Sequence, residues 1–215
     1  MIQLTKNGEP PVLSANKATW TTELLKYIQR GEKVPSSVSN RYNNPEVKES
    51  LRQESNSKCI YCESNVQHIT YEHIEHLKPK AKDKYPELTF EYDNLGLSCP
   101  KCNMNKGSEY DENLLYLNPF VDNPENHFKA VGALIWALPG DRRAKLTEID
   151  IELNRPELLE VRLERLNSIR SLVEIYNQET NPRLKQSLKK EIETEIREDK
   201  PYSFVAGKLV EALLN

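Results

Sequence analysis

The chain has 215 residues, which fits one domain or one domain with a small satellite. Hydrophobic residues make up 37% of it and charged residues 29%, and no run approaches the roughly 20 apolar residues that a membrane span needs. The formal net charge is −3, whereas proteins that bind duplex nucleic acid usually present a basic surface. Residues 1–6 lack the apolar core of a signal peptide, so we expect a cytoplasmic protein with no membrane segment.

The first region, residues 1–57, is predicted to be a helical cover. Residues 2–4 suggest a short strand, and Asn-Gly and Pro-Pro pairs then break the chain. Residues 19–30 have apolar side chains at helical spacing, and Gly31 is a stop signal. A second helix is predicted for residues 44–56, because proline is favoured at the first helical position.

Four cysteines form two C-x-x-C pairs, Cys59 with Cys62 and Cys99 with Cys102. Two such knuckles can converge on one ion and complete a closed tetrahedral zinc site. The pairs are separated by 36 residues, more than the usual 15–20 or so of double-knuckle zinc sites, so the metal would close a larger loop. Two disulfides or redox thiols are the alternative, but a cytosolic chain with paired cysteines is more often metal-binding.

The loop between the knuckles is predicted to hold a β-hairpin within residues 66–98. Ile69 and Tyr71 alternate with polar residues, as a half-buried strand does. Pro79 would end that strand, and residues 90–97 would return to the second knuckle. A short helix should then begin near Cys99 and end at Gly107.

The chain beyond residue 110 is predicted to be mostly helical. The apolar run 133–138 is either a strand or a buried helix, and residues 147–153 alternate apolar side chains. Three helices should begin near Pro156, Pro182 and Ser203. Their apolar stripes, expected to pack in the core, are Leu159, Leu163, Leu166, Ile169, Val173 and Tyr176; Leu184, Leu188, Ile192 and Ile196; and Val205, Leu209 and Leu213. The second stripe is narrow, so its helix could instead dock on a partner.

Several short elements between residues 59 and 107 resemble the HNH nuclease superfamily, whose fold is called ββα-metal. In chain order they are Cys59-x-x-Cys62, Glu75-His76-Leu77-Lys78-Pro79, Asn94-Leu95, Cys99-Pro100-Lys101-Cys102-Asn103 and Lys106-Gly107. Their order and spacing together are specific. Glu75 stands where the family more often has Asp, and Asn103 stands where it often has His. Both keep an oxygen ligand for a hard cation such as Mg²⁺.

The resemblance implies a role for each polar residue in phosphodiester hydrolysis. His76 would be the general base on a water, because imidazole titrates near neutral pH. Asn94 would orient that base and brace its loop. Glu75 and Asn103 would hold one Mg²⁺ or Mn²⁺ ion against the scissile phosphate. Lys106 would lie near the same phosphate.

Two further features near the expected base have an open interpretation. His73 shares a strand face with Glu75, so it is either a metal or supporting catalytic ligand or a half-buried strand histidine. Lysines at alternate positions follow His76, namely Lys78, Lys80, Lys82 and Lys84. If that segment is extended, they line one face and track phosphates; otherwise they are a solvated loop.

Two other classes of function remain as alternatives. Zinc-dependent nucleobase deaminases carry H-x-E followed by P-C-x-x-C, which His73-Ile74-Glu75 and Cys99-x-x-Cys102 fit loosely. That interpretation leaves Cys59 and Cys62 without a role. The other class is a non-enzymatic zinc module that binds nucleic acid or protein. Metalloprotease motifs are absent, since His73-x-Glu75-His76 has the wrong spacing.

A closer resemblance is to the PtuB nucleases of Septu anti-phage defence systems and their retron-associated relatives. It adds Leu117-Asn118-Pro119-Phe120, Asp122-Asn123-Pro124-Glu125 and Leu153-Asn154-Arg155 to the elements above. The family implies a hetero-oligomer with a PtuA-type ATPase and a DNA substrate, with RNA also open. The acidic charge agrees with a partner that supplies much of the substrate grip.

The expected fold is therefore mainly α-helical, with one small hairpin in a ββα-metal core stapled by zinc. The helical cover is residues 1–57, the nuclease core is residues 58–110, and a C-terminal helical region is residues 111–215. The three regions should form a single compact unit.

Overall fold

The computed structural model describes residues 1–66 and 72–214, which are mostly helical with two small antiparallel sheets. The expected mainly α-helical fold with a small β-containing core is confirmed, although the second sheet was not predicted. Within these residues, no helix is long and apolar enough to cross a bilayer.

The N-terminal region forms three helices: α1 (Pro11–Gln29), α2 (Ser36–Ser39) and α3 (Pro45–Ser55). Helix α1 begins eight residues before the predicted start, because its Pro-Pro pair caps the helix instead of breaking the chain. The predicted strand at residues 2–4 is wrong. Those residues form no ladder with the described chain, and the backbone N–H of Leu4 donates to the carbonyl of Pro119 at 2.8 Å.

The central hairpin pairs β1 (His73–His76) with β2 (Leu95–Ser98). Its register places His73 opposite Ser98 and His76 opposite Leu95. Helix α4 (Pro100–Lys106) follows at once. It is capped by Cys99 and ended, as predicted, by Gly107, whose φ of 55° is one that glycine adopts readily. The expected strand positions Ile69 and Tyr71 lie outside the described residues.

A second hairpin joins β3 (Phe128–Val131) to β4 (Leu134–Ala137) through Gly132, whose φ is 57°. The apolar run 133–138 is therefore a strand. Helix α5 (Arg142–Asp150) then packs on β4, and the side chain of Asp141 caps it by accepting from the N–H of Ala144 at 2.9 Å.

The alternating pattern at residues 147–153 does not correspond to a strand. It covers the end of α5 and the turn after it, so Ile149 is 58% exposed on the helix surface while Ile151 and Leu153 are buried in the turn. The left-handed Glu152, with φ of 55°, separates helix from turn.

Three C-terminal helices complete the fold: α6 (Pro156–Gln178), α7 (Pro182–Glu195) and α8 (Ser203–Leu214). Helix α6 packs on both of the others. Its buried face is shifted from the predicted stripe, because Leu158 and Arg162 are buried whereas Leu163 is 49% exposed. Leu188 and Ile192 of α7 are buried, so the narrow stripe packs mainly within this chain.

Candidate active site

The four cysteine thiols lie together at the base of the central hairpin. All four are buried, and every pair of their sulfur atoms lies within 4.8 Å. The Sγ atoms of Cys62 and Cys99 are 3.8 Å apart, far beyond a disulfide bond. Four sulfurs about 2.3 Å from one zinc in a tetrahedron would be separated by about 3.8 Å, so the donor set fits a closed tetrathiolate site.

The two knuckles reach one another through the hairpin. The N–H of Ile60, inside the first knuckle, donates to the carbonyl of Leu97 in β2 at 2.9 Å. Cys99 follows β2 directly and caps α4, which carries Cys102 in its first turn. The cluster therefore fixes the position of β1, which pairs with β2 and bears the expected catalytic residues.

A cavity of about 720 Å³ opens beside β1 and α4. It is lined by five of the residues singled out in the sequence, by Glu72 next to β1, and by residues of the N-terminal region. The lining includes His73, Glu75, His76 and Asn103 together with Tyr42, Lys48, Glu72 and Lys80. Tyr42 and Lys48 were not predicted, because they lie in the loop before α3 and in α3 and belong to no motif.

His76 is 7% exposed at the cavity wall. Its Nε2 lies 3.1 Å from the carbonyl of Thr89, which can only accept, so Nε2 carries the proton and Nδ1 keeps the lone pair. The ring of Tyr42 meets the imidazole edge to face, with ring centres 4.6 Å apart. Burial, together with the nearby cation Lys80, lowers the pKa of His76 to about 3. The imidazole is therefore neutral at physiological pH.

Glu75 points from β1 towards Lys106 of α4. The side chains of Glu75 and Lys106 are 3% and 1% exposed, and Lys106 Nζ lies 2.6 Å from Glu75 Oε1. The same ammonium donates to the carbonyl of His76 at 2.9 Å. Burial raises the pKa of Glu75 to about 7, although the charge of Lys106 opposes that rise. Lys106 was expected near a phosphate, but this structure places it behind Glu75.

Asn94 braces the segment that follows the expected base. Its Oδ1 accepts from the N–H of Lys78 at 2.7 Å, and its Nδ2 donates to the carbonyls of Lys78 and Leu88 at 3.0 and 3.1 Å. The predicted bracing of the loop agrees with these contacts. The imidazole of His76, however, is oriented by Thr89, whose carbonyl contacts its Nε2.

His73 and Asn103 meet across the cavity. Asn103 Nδ2 lies 3.3 Å from His73 Nδ1, which brings the end of β1 and helix α4 together. Both side chains are half-buried and line the cavity. His73 therefore stands beside an expected metal ligand, which favours a supporting role at the site over that of an isolated strand histidine.

The four alternate lysines do not form one extended face. Lys78 is exposed and its Nζ lies 5.1 Å from the centre of the Tyr85 ring. Lys80 instead turns into the cavity, where its ammonium contacts the hydroxyl of Tyr42. Lys82 lines a neighbouring depression of about 590 Å³ that also includes Lys80. Of the four, Lys80 is the one placed at the cavity of His76.

The grouping of the cysteines counts against a deaminase. That class needs a histidine to share one zinc with Cys99 and Cys102. In residues 1–66 and 72–214, the metal-ligand cluster comprises Cys59, Cys62, Cys99 and Cys102 and includes no histidine.

The sequence is similar to known proteins in the same region as this site. A protein-family model described as HNH endonuclease matches residues 59–109. Septu protein PtuB of Bacillus thuringiensis is 34% identical over 161 residues, which cover 74% of this chain and 57% of that protein. Septu protein PtuB of Bacillus mycoides (strain KBAB4) is 28% identical over 197 residues, which cover 75% of this chain and 66% of that protein.

The chain thus spans between about half and two thirds of the length of these relatives. The matched segment begins at the first knuckle and ends just past Gly107, so it contains the cysteine cluster, the central hairpin and α4. The chain is therefore similar to the Septu proteins named PtuB, and its residues 59–109 match the HNH endonuclease family.

Proposed function

We propose that this chain is the nuclease of a Septu-type anti-phage defence complex and hydrolyses nucleic-acid phosphodiester bonds with Mg²⁺ or Mn²⁺. The observation that carries the proposal is the cavity beside β1. It collects a neutral histidine, a carboxylate, an amide and a lysine, namely His76, Glu75, Asn103 and Lys80, next to a cysteine cluster that fits zinc.

His76 has the protonation state that a general base needs. The Thr89 carbonyl holds the Nε2 proton, so the free lone pair of Nδ1 accepts the proton of a water that attacks phosphorus. The low pKa of His76 keeps the imidazole neutral at pH 7. In the complex, an anionic phosphate nearby would raise that pKa, whereas further loss of solvent would lower it. Tyr42 packs on the ring and limits its rotation.

Glu75 and Asn103 supply the oxygen ligands for the catalytic cation, and both line the cavity. His73 fixes the Asn103 amide through its nitrogen, which leaves the amide oxygen for the cation. Lys106 holds the Glu75 carboxylate from behind. A bound cation would stabilise the negative charge that develops on the phosphate.

Zinc has a structural role in this proposal. The ion would be bound by four thiolates, those of Cys59, Cys62, Cys99 and Cys102. They would fill all four of its coordination positions and leave none for substrate. The zinc would then hold β1 and α4 in register, and these two elements carry the ligands of the catalytic cation. Zinc and Mg²⁺ therefore have separable effects.

We further propose that a PtuA-type ATPase is the partner and that DNA is the substrate, with RNA as the alternative. The support is the homology to Septu proteins named PtuB and the net charge of −3, which is unusual for a protein that grips a polyanion alone. A partner with a basic surface would supply that grip and control access to the cavity.

The decisive experiment measures nicking of supercoiled DNA by the wild-type chain co-purified with the ATPase encoded beside it. His76→Ala should reduce the nicking rate roughly 10²–10⁴-fold, the usual contribution of a general base. The matched control is His127→Ala, because His127 contacts Asp141 near the second hairpin, away from the cavity. Zinc content should be equal in all three proteins.

The outcomes separate the possible functions. Nicking that needs Mg²⁺ or Mn²⁺ and is lost in His76→Ala alone supports the proposal. Undiminished nicking by His76→Ala removes that residue as the base. Deamination without strand cleavage would favour the deaminase, and metal-independent binding without any reaction would favour a non-enzymatic zinc module.

A further inference from the structure

Arg155 lies against the cysteine cluster and does not line the cavity of His76. It is the residue before helix α6, and its guanidinium points at two sulfur atoms. Nη1 lies 3.6 Å from Cys102 Sγ, and Nη2 lies 3.9 Å from Cys99 Sγ. Nη1 also donates to the carbonyl of Glu152 at 3.2 Å, which fixes the guanidinium in this orientation.

A planar guanidinium with two N–H groups directed at two sulfurs suits a charged acceptor. Four cysteine thiolates around Zn²⁺ carry a net charge of −2, and hydrogen bonds to the sulfurs disperse that charge. Arg155 is half-buried, so water screens the interaction less than it would on the surface. Arginine is also always protonated and matches two acceptors at once, unlike lysine.

We propose that Arg155 is a positioning residue of the zinc centre, which donates to the Cys99 and Cys102 thiolates and slows release of the ion. The contact also joins two regions of the molecule, because Cys99 and Cys102 flank the start of α4 and Arg155 directly precedes the long helix α6. Loading of zinc would therefore strengthen the attachment of α6 to the core. The inference concerns the metal centre and does not depend on which reaction the cavity performs.

A second set of contacts joins the same surfaces without touching sulfur. Asn105 of α4 donates to the Glu152 carboxylate at 2.8 Å and to the Ile151 carbonyl at 3.2 Å. Lys101 lies 3.3 Å from the same carboxylate. A substitution of Asn105 would therefore weaken the attachment of the turn and leave the hydrogen bonds to the thiolates in place. It separates the effect of Arg155 on the zinc from its effect on the attachment of α6.

The test is the rate at which the purified chain transfers zinc to an excess of a chromogenic chelator. Arg155→Met keeps the length of the side chain and removes its charge, and it should accelerate release roughly 10–100-fold, the usual effect of losing a residue that supports a metal ligand. Arg155→Lys keeps the charge but not the paired donors, so its rate should be intermediate.

Two variants serve as controls. Asn105→Ala weakens the same attachment, and Arg165→Ala removes an arginine of α6 that pairs with Glu195 at 2.5 Å instead of with the cysteines. Both should release zinc at the wild-type rate. The proposal is overturned if Asn105→Ala accelerates release as much as Arg155→Met, if Arg155→Met is unchanged, or if the wild-type chain holds no zinc.

Discussion

At the residue scale, the candidate site rests on a buried pair of opposite charges. Glu75 and Lys106 are almost fully inaccessible, and the ammonium contacts both the carboxylate and the backbone carbonyl of His76. A lysine in that position holds the expected metal ligand and the base in one unit. It also keeps Glu75 partly ionised although burial raises the pKa of the carboxyl to about 7. Lys106 is therefore placed to position Glu75, and the phosphate contact expected from sequence stays a prediction.

Lys80 gives the site a second dependence on pH. Burial lowers the pKa of its ammonium to about 8, although Glu75 opposes the shift, so Lys80 loses its charge as the pH rises from 7 to 9. Burial raises the pKa of Tyr42, its contact, so the phenol stays neutral over the same range. If Lys80 binds a phosphate, the affinity for DNA should fall about tenfold between pH 7 and pH 9, since a hydrogen bond to a charged group contributes roughly 1.5–3 kcal/mol.

The measurement is fluorescence anisotropy of a labelled oligonucleotide in the His76→Ala background, where the DNA is not cut. Lys80→Arg should lose much less affinity over this range, because a guanidinium stays protonated and the remaining change is the ionisation of Glu75, whose pKa is about 7. Lys82→Arg, outside the cavity of His76, should lose affinity as the parent does. A fall in affinity that persists in Lys80→Arg would assign the pH dependence to another group.

At the scale of elements, the central hairpin is held against the first knuckle by a close contact at Gly96. A Cβ added there would lie 2.6 Å from Cδ1 of Ile60, well inside contact distance. Gly96→Ala should therefore destabilise the protein by roughly 1–3 kcal/mol, as overpacking of a core does. Ile60→Val removes the clashing methyl group, so the double variant should be less destabilised than the two single effects added together.

Urea unfolding of the two single variants and the double variant measures this coupling. Gly8→Ala is the matched control, because a Cβ at Gly8 meets no atom within 4 Å. Additive effects of Gly96→Ala and Ile60→Val would show that the strain is relieved elsewhere, for instance at Phe120, whose ring lies 3.6 Å from the same Cβ position.

The elements that sequence predicted well are those with a local chemical cause. The cysteine spacing, the proline starts and the glycine stop at Gly107 each act within a few residues, and the structure reproduces α3, α4 and α6 closely. The second hairpin was missed because Gly132 in a left-handed turn was its sole strong signal. The apolar alternation at residues 147–153 does not reflect a strand. Ile149 faces outwards on a helix, and the two later apolar residues, Ile151 and Leu153, are buried in the turn that follows.

The candidate site was predictable to the same extent. The motif located Glu75, His76 and Asn103 at one cavity, since all three lie on elements that the knuckles fix. It could not reveal Tyr42 or Lys48, which reach the cavity from the N-terminal region through tertiary packing. Contacts between residues far apart in sequence leave no periodic or local pattern.

At the scale of the whole molecule, the C-terminal region is attached to both cysteine knuckles. The side chain of Ser64, beside the first knuckle, lies 3.0 Å from the hydroxyl of Tyr202, and Ser203 donates to Glu63 at 2.8 Å. Arg155 and Asn105 join the second knuckle and its helix to the turn before α6. The cysteine cluster is thus a point at which the C-terminal helices meet the central hairpin, which explains how distant segments can stabilise a small hairpin.

The distribution of charge over the molecule predicts how strongly the binding of nucleic acid by the isolated chain depends on salt. The cavity places Lys48 and Lys80 among the carboxylates Glu72 and Glu75, and the chain as a whole is acidic. We expect the lysines at the cavity to neutralise about two or three phosphates of duplex DNA. Each neutralised phosphate contributes roughly −0.9 to the slope of log affinity against log salt concentration, so that slope should be only about −2 to −3.

Anisotropy titrations of His76→Ala at a series of salt concentrations measure that slope. If the proposed ATPase is the partner and adds phosphate contacts, their complex should bind more tightly and with a steeper slope. A slope near −10 for the isolated chain would contradict this, since it would require many more cationic contacts than the cavity offers. An unchanged slope in the complex would mean that the ATPase controls the nuclease without touching its substrate.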